Sequence, residues 1–167
     1  MGGIGKTTLA RAYAIRFAGE YDTILWLHFR SDLTRTVCDD GELTIQNLSW
    51  SSGQYANQSQ YFSVKWAVFQ TLLQEQRVLL ILDDMNQLQD RRFPLLWQLP
   101  CHVLITSRVC RADWPVTVIP VAPLKTEDAW HSFYSCYSST PPDAHQARQL
   151  DAFRSAVQGN TLLMQLA

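Results

Sequence analysis

The sequence predicts an α/β fold, a parallel sheet covered by helices on both faces and followed by a shorter helical region. Two observations carry that prediction. Apolar runs of strand length alternate with stretches of helical period, and each of the first three runs is followed by polar residues. A glycine-rich turn, Gly2-Gly3-Ile4-Gly5, also opens directly into a helical stretch. In parallel sheets of this kind the polar groups at the carboxyl ends of the strands are the ones that meet a ligand.

Taken in order, residues 7–18 have helical spacing, with Leu9, Tyr13, Ala14 and Phe17 as the expected buried stripe and Gly19 as the stop. Residues 23–29, TILWLHF, are β-branched and aromatic and read as a buried strand. Residues 30–60 are polar and read as a surface excursion. Helical spacing returns at Tyr61, puts Phe62, Trp66, Phe69 and Leu73 on one face, and ends at Gln76. Residues 77–82 form an apolar run that leads into Asp83 and Asp84. Residues 102–106 form another, leading into Ser107 and Arg108. A fourth run, 116–121, is bracketed by Pro115 and Pro123. After it the pattern becomes helical: Thr126 serves as an N-cap ahead of Glu127 and Asp128, and Asp143 caps a segment carrying Leu150, Phe153 and Val157. The division this implies is a core over residues 1–122 and a partial helical subdomain over 123–167.

Composition narrows the function classes. A chain of 167 residues that is 47% hydrophobic and 17% charged buries a sizeable core and is not disordered. Its net charge of −1 leaves no electrostatic footprint for nucleic acid or an anionic membrane. The longest apolar run, 78–82, is too short to span a bilayer, and no leader opens the chain. Cys38, Cys101, Cys110 and Cys136 show no metal-site spacing and read as reduced, packing thiols of a cytoplasmic protein. Cys101 and His102 are strand neighbours and point to opposite faces. Trp26, Trp66 and Trp130 sit at core positions, and His28, His131 and His145 look isolated, with no catalytic role.

Three motifs carry chemistry. Gly2 to Thr8, GGIGKTT, matches the phosphate loop GxxxxGK[ST] except that its first glycine would precede Met1. Such glycines let backbone N–H groups turn inward around a phosphate at a helix N-terminus. Lys6 would bridge the β- and γ-phosphates, and Thr7 would offer its hydroxyl to Mg²⁺. At the tip of VLLILDD, Asp83 is placed to hold Mg²⁺ and Asp84 to polarise an attacking water. At the tip of VLITSR, Arg108 is placed to reach a γ-phosphate, a task that suits a rigid guanidinium.

The ordered series resembles the NB-ARC domain of plant disease-resistance proteins and apoptotic-protease activators, within the wider STAND class that includes bacterial regulators. It runs from GGIGKTT through TILWLHF, LLILDD and HVLITSR to Pro123-Leu124 with Asp128-Ala129-Trp130 and Phe133, and ends in Gly159-Asn160-Thr161-Leu162-Leu163. Residues 30–60 match least. The resemblance implies a three-layer P-loop core. It also implies nucleotide contacts from Gly2, Gly3, Ile4, Gly5, Lys6, Thr7 and Thr8, Mg²⁺ contacts from Thr7 and Asp83, and catalytic or sensing roles for Asp84 and Arg108. Thr161 and Leu162 fall in the segment that lines the nucleotide from the helical subdomain, where the family uses a GxP motif. Thr161 replaces the proline, which removes a fixed φ and adds a hydroxyl. The family also has a central strand ahead of the phosphate loop, between the strand bearing Arg108 and the one near Val118. A chain that starts inside the loop implies a sheet without that strand, hence a gene fragment or a start codon placed too late.

The function that follows is an ATP/ADP switch. Slow Mg-dependent hydrolysis would gate homo-oligomerisation of a longer parent, whose signalling partners would engage missing domains. Two rivals stand beside it. A fast-turnover P-loop ATPase or kinase would use the same loop, although no arginine-rich lid is visible. A degenerate interaction fragment that binds no nucleotide would fit the missing strand.

Overall fold

Residues Val78–Asp83, VLLILD, are buried along their whole length. An uninterrupted apolar strand of this kind belongs in the middle of a parallel sheet with both faces covered. The computed structural model describes residues 3–39, 57–87 and 89–125, together with residues 128, 145, 148, 149, 152 and 155. Among these residues the sheet has three strands: β1 (Thr23–His28), β2 (Val78–Asp83) and β3 (His102–Ile105), in that spatial order. Both pairings are parallel, with Thr23 opposite Val78, His28 opposite Asp83, and Leu82 opposite Ile105.

The two faces of β2 enter different cores, as the two-residue period of a strand requires. Leu79 and Ile81 pack with Ala10 and Ala14 of α1 (Lys6–Arg16). Val78, Leu80 and Leu82 join the larger core. Its helical side comes from α2 (Leu33–Asp39), α3 (Gln58–Glu75) and α4 (Phe93–Trp97). Each Leu or Ile side chain buried this fully stabilises the fold by about 1.5–3 kcal/mol. The predicted face of α3 is the buried one: Phe62, Trp66, Phe69 and Leu73 all lie in this core, with Phe62 and Trp66 stacked at 5.4 Å. Asn57 caps the helix by accepting from the Gln60 N–H. Trp26 packs partly buried against the α1 side, and Trp130 lies outside the described residues. Cys101 packs toward the larger core while His102 bonds Tyr21 on the other face, the opposition expected of strand neighbours.

Several expectations need correction. On α1 the buried residues are Ala10 and Ala14, whereas Leu9 and Tyr13 are exposed. Small residues on the sheet side let the helix lie close to β2, and that gain outweighs the larger apolar area of Leu9 and Tyr13. The polar stretch 30–60 is not wholly an excursion, because residues 33–39 form α2, with Leu33, Thr36, Val37 and Cys38 buried. Its start is fixed by Asp32, whose Oδ1 accepts from the Arg35 N–H. Residues 40–56 lie outside the described residues. The short helix α4, with Pro94 in its first turn, was also unanticipated. The fourth apolar run forms no strand; Val118 and Ile119 are exposed. Its apolar composition is therefore not matched by strand pairing among the described residues.

The chain divides into two compact units, Thr7–Thr117 and the combination of Met1–Lys6 with Val118–Ala167. In the second unit residues 128, 145, 148, 149, 152 and 155 are helical. The expected caps at Thr126 and Asp143 lie outside the described residues.

Candidate functional site

Gly3 and Gly5 take φ of 74° and 100° immediately before α1, which Lys6 opens. Side chains disfavour that left-handed backbone and glycine does not, so Gly3 and Gly5 take a conformation that a phosphate-wrapping turn would require. Ile4 lies between them, Thr8 is exposed on α1, and Gly2 lies outside the described residues.

Within the larger unit, the tips of β2 and β3 and the start of α1 meet around one carboxylate. Asp83 ends β2 and is only 5% exposed. Its Oδ1 accepts from the Thr7 hydroxyl at 2.8 Å and from the Thr106 hydroxyl at 2.6 Å. Its Oδ2 lies 3.4 Å from Nδ1 of His28. Burying a carboxylate is costly unless it is bonded, and here both oxygens have neighbours. The Thr7 contact spans the chain from the helix start to the central strand.

Thr106, 6% exposed, is the hub of the arrangement. It continues the β2–β3 ladder by donating its N–H to Leu82 and accepting from the Met85 N–H at its carbonyl. Its hydroxyl donates to Asp83 and also accepts from the Asp84 N–H at 2.9 Å. That last bond holds Asp84 at a φ of 60°, a left-handed backbone that costs a non-glycine residue on the order of 1–3 kcal/mol. The turn it makes sends the Asp84 side chain outward, 56% exposed, while Asp83 stays inside.

At the rim, Arg108 Nη2 lies 3.6 Å from Asp84 Oδ1. Asn86 joins the two, donating from Nδ2 to Asp84 Oδ1 at 2.7 Å and accepting the Arg108 N–H at Oδ1 at 2.8 Å. Ser107 turns the chain between the β3 tip and Arg108, its hydroxyl 2.5 Å from the carbonyls of both Met85 and Val109. The structure thus brings Thr7, Asp83, Asp84 and Arg108 together in one unit. Thr161 and Leu162 lie outside the described residues.

Sequence reasoning missed Thr106, Asn86 and His28 as members of this cluster. His28 is not isolated, because the β1–β2 register sets it opposite Asp83. The same register logic puts Thr106, the residue just past β3, beside the acid pair. Asn86 carried no signal beyond its place two residues after Asp84. Among the described residues no group of three or more His, Cys, Asp or Glu forms a metal site. The oxygen donors of Thr7 and Asp83 are nonetheless the hard type that suits Mg²⁺.

Positive-φ glycines ahead of a helix, and a helix-start threonine bonded to a buried strand-tip aspartate, are each the local geometry that the sequence motifs lead one to expect. The NB-ARC domain family matches residues 1–139. The chain belongs to the NB-ARC family. NB-ARC domains have the P-loop NTPase fold and serve as nucleotide-binding modules in STAND-type signalling, and members of the family oligomerise. The three parallel strands and flanking helices of this NB-ARC chain are that α/β fold. A comparison with curated proteins finds no significant match. No helix among the described residues of the NB-ARC chain is long and apolar enough to cross a membrane.

Proposed function

We propose that this NB-ARC chain is the ATP/ADP switch of a cytoplasmic signalling ATPase, in which slow Mg-dependent hydrolysis gates homo-oligomerisation of the longer parent and its engagement of signalling partners. The observation that carries the reading is the buried Asp83 carboxylate bonded to Thr7, with Asp84 and Arg108 projecting beside it. Gly2, Gly3, Ile4, Gly5, Lys6, Thr7 and Thr8 would enclose the phosphates. Thr161 and Leu162 would approach from the helical part, which begins near residue 123. Thr7 and Asp83 would hold Mg²⁺, which supplies charge neutralisation of the phosphates when bound.

The roles of the remaining residues follow from chemistry. Asp84, half-exposed and turned outward beside Arg108 and Asn86, would orient a water and take its proton. Arg108 distinguishes ATP from ADP, since only ATP offers a γ-phosphate to its guanidinium. A charge-assisted contact of this kind contributes about 1.5–3 kcal/mol. Spent on one of two subdomain arrangements, it shifts their balance by roughly one to two decades, enough to flip a switch poised near equality.

Calorimetry with Mg-ATP and Mg-ADP on the chain and on its Lys6→Ala and Asp83→Ala variants tests the proposal. Binding by the parent chain that either substitution abolishes supports it. A folded chain that binds neither nucleotide sinks it and favours an interaction module that has lost the ligand.

A further inference from the structure

Asn86 sits where no part of the phosphate machinery requires it, yet it touches both residues that would answer to the γ-phosphate. An asparagine side chain offers one amide donor face and one carbonyl acceptor. Here the donor face meets a carboxylate, Asp84 Oδ1 at 2.7 Å, and the carbonyl meets a backbone donor, the Arg108 N–H at 2.8 Å. An aspartate at the same place would set a second carboxylate against Asp84, and an alanine would make neither bond. The guanidinium of Arg108 completes the ring by approaching Asp84 Oδ1 at 3.6 Å.

We propose that Asn86 is a positioning residue that holds Arg108 paired to Asp84, so that the γ-phosphate of ATP must compete for the guanidinium and its capture releases Asp84. The proposal rests on the nucleotide-switch reading above and adds the off-state to it. Both ends of the pair are half-exposed, with side-chain exposures of 51% for Arg108 and 56% for Asp84. An ion pair in that setting is weak enough for a phosphate to displace. Asn86 strengthens it by holding the Asp84 carboxylate and the Arg108 backbone on one amide, which lowers the entropy lost when the long Arg108 side chain meets the acid. The carboxylate and the guanidinium neutralise each other while the γ-site is empty. Once Arg108 turns to phosphate, Asp84 keeps only its bond to Asn86 and faces the site as a base.

The test compares Mg-ATP with Mg-ADP binding by calorimetry in the parent chain, Asn86→Ala, Arg108→Ala and the double variant. Loosening a competitor of this strength raises the preference for ATP over ADP by up to roughly fivefold in Asn86→Ala, with ADP affinity unchanged. In the Arg108→Ala background the same substitution changes the preference by less than about 1.5-fold, since no guanidinium remains to be released. Asn86→Asp moves the preference the other way, because a second carboxylate holds Arg108 more strongly. An unchanged or lowered ATP preference in Asn86→Ala, or an equal effect with and without Arg108, overturns the latch while leaving the switch reading intact. Absence of any nucleotide binding by the folded parent chain overturns the switch reading and the latch with it. Thermal unfolding of each variant within a few degrees of the parent separates these results from misfolding.

Discussion

Replacing Thr106 by valine removes one hydroxyl and keeps the side-chain shape, and so isolates what that hydroxyl contributes. Two hydrogen bonds disappear. The 2.6 Å bond to the buried Asp83 carboxylate is charge-assisted and contributes about 1.5–3 kcal/mol. The 2.9 Å bond from the Asp84 N–H contributes about 0.5–1.5 kcal/mol, and without it the left-handed turn at Asp84 loses its anchor. The extra valine methyl returns up to about 0.8 kcal/mol of burial. Thr106→Val therefore destabilises the chain by roughly 1–4 kcal/mol, a large share of the 5–15 kcal/mol typical of a domain. Urea unfolding followed by far-UV circular dichroism reads this as a lower midpoint at unchanged slope. Thr106→Ser keeps both bonds and loses one methyl, so it costs about 1 kcal/mol. A loss below about 1 kcal/mol for valine, or a serine variant as damaged as the valine one, refutes the hub role given to the hydroxyl.

Three further outcomes follow from the same structure. Arg77 holds the Asp22 carboxyl below its ordinary value of 3.8 through a side-chain pair and a backbone N–H bond. The resulting stability is present above pH 3.8 and is lost as pH falls through the lower folded value, so Asp22→Asn shrinks the difference in melting temperature between pH 7 and acid. Lys65 is buried and donates from Nζ to the Val37 and Cys38 carbonyls at the end of α2. Lys65→Met leaves those carbonyls without that donor and lowers stability in urea by about 1–3 kcal/mol. Burial pushes the Cys38 and Cys101 thiols up to about 11, whereas Cys110 is exposed. Iodoacetamide at pH 8 with mass-spectrometric mapping therefore labels Cys110 well before Cys38 or Cys101.

The sequence by itself determined the class of this chain and the identity of its leading residues. The strands were legible because apolar runs 23–29, 77–82 and 102–106 differ in period from the helices between them, and β1, β2 and β3 fall on those runs within a residue or so. The glycine turn, Asp83, Asp84 and Arg108 stood out because the roles proposed for them each demand a residue type at a fixed place on a strand tip or helix start. What a one-dimensional pattern does not encode is which elements become neighbours. On α1 two stripes share a spacing of four, Leu9 with Tyr13 and Ala10 with Ala14, and only close approach to β2 selected the alanines. The run 116–121 has the composition of a strand yet forms none, because apolar composition alone does not supply the paired backbone that a strand requires. Thr106, Asn86 and His28 owe their places at the site to parallel register and to the turn at Asp84, which bring residues over twenty positions apart within hydrogen-bonding reach. Tertiary structure decided those contacts because a hydrogen bond depends on distance through space, and spacing along the chain fixes that distance only within a single helix, strand or turn.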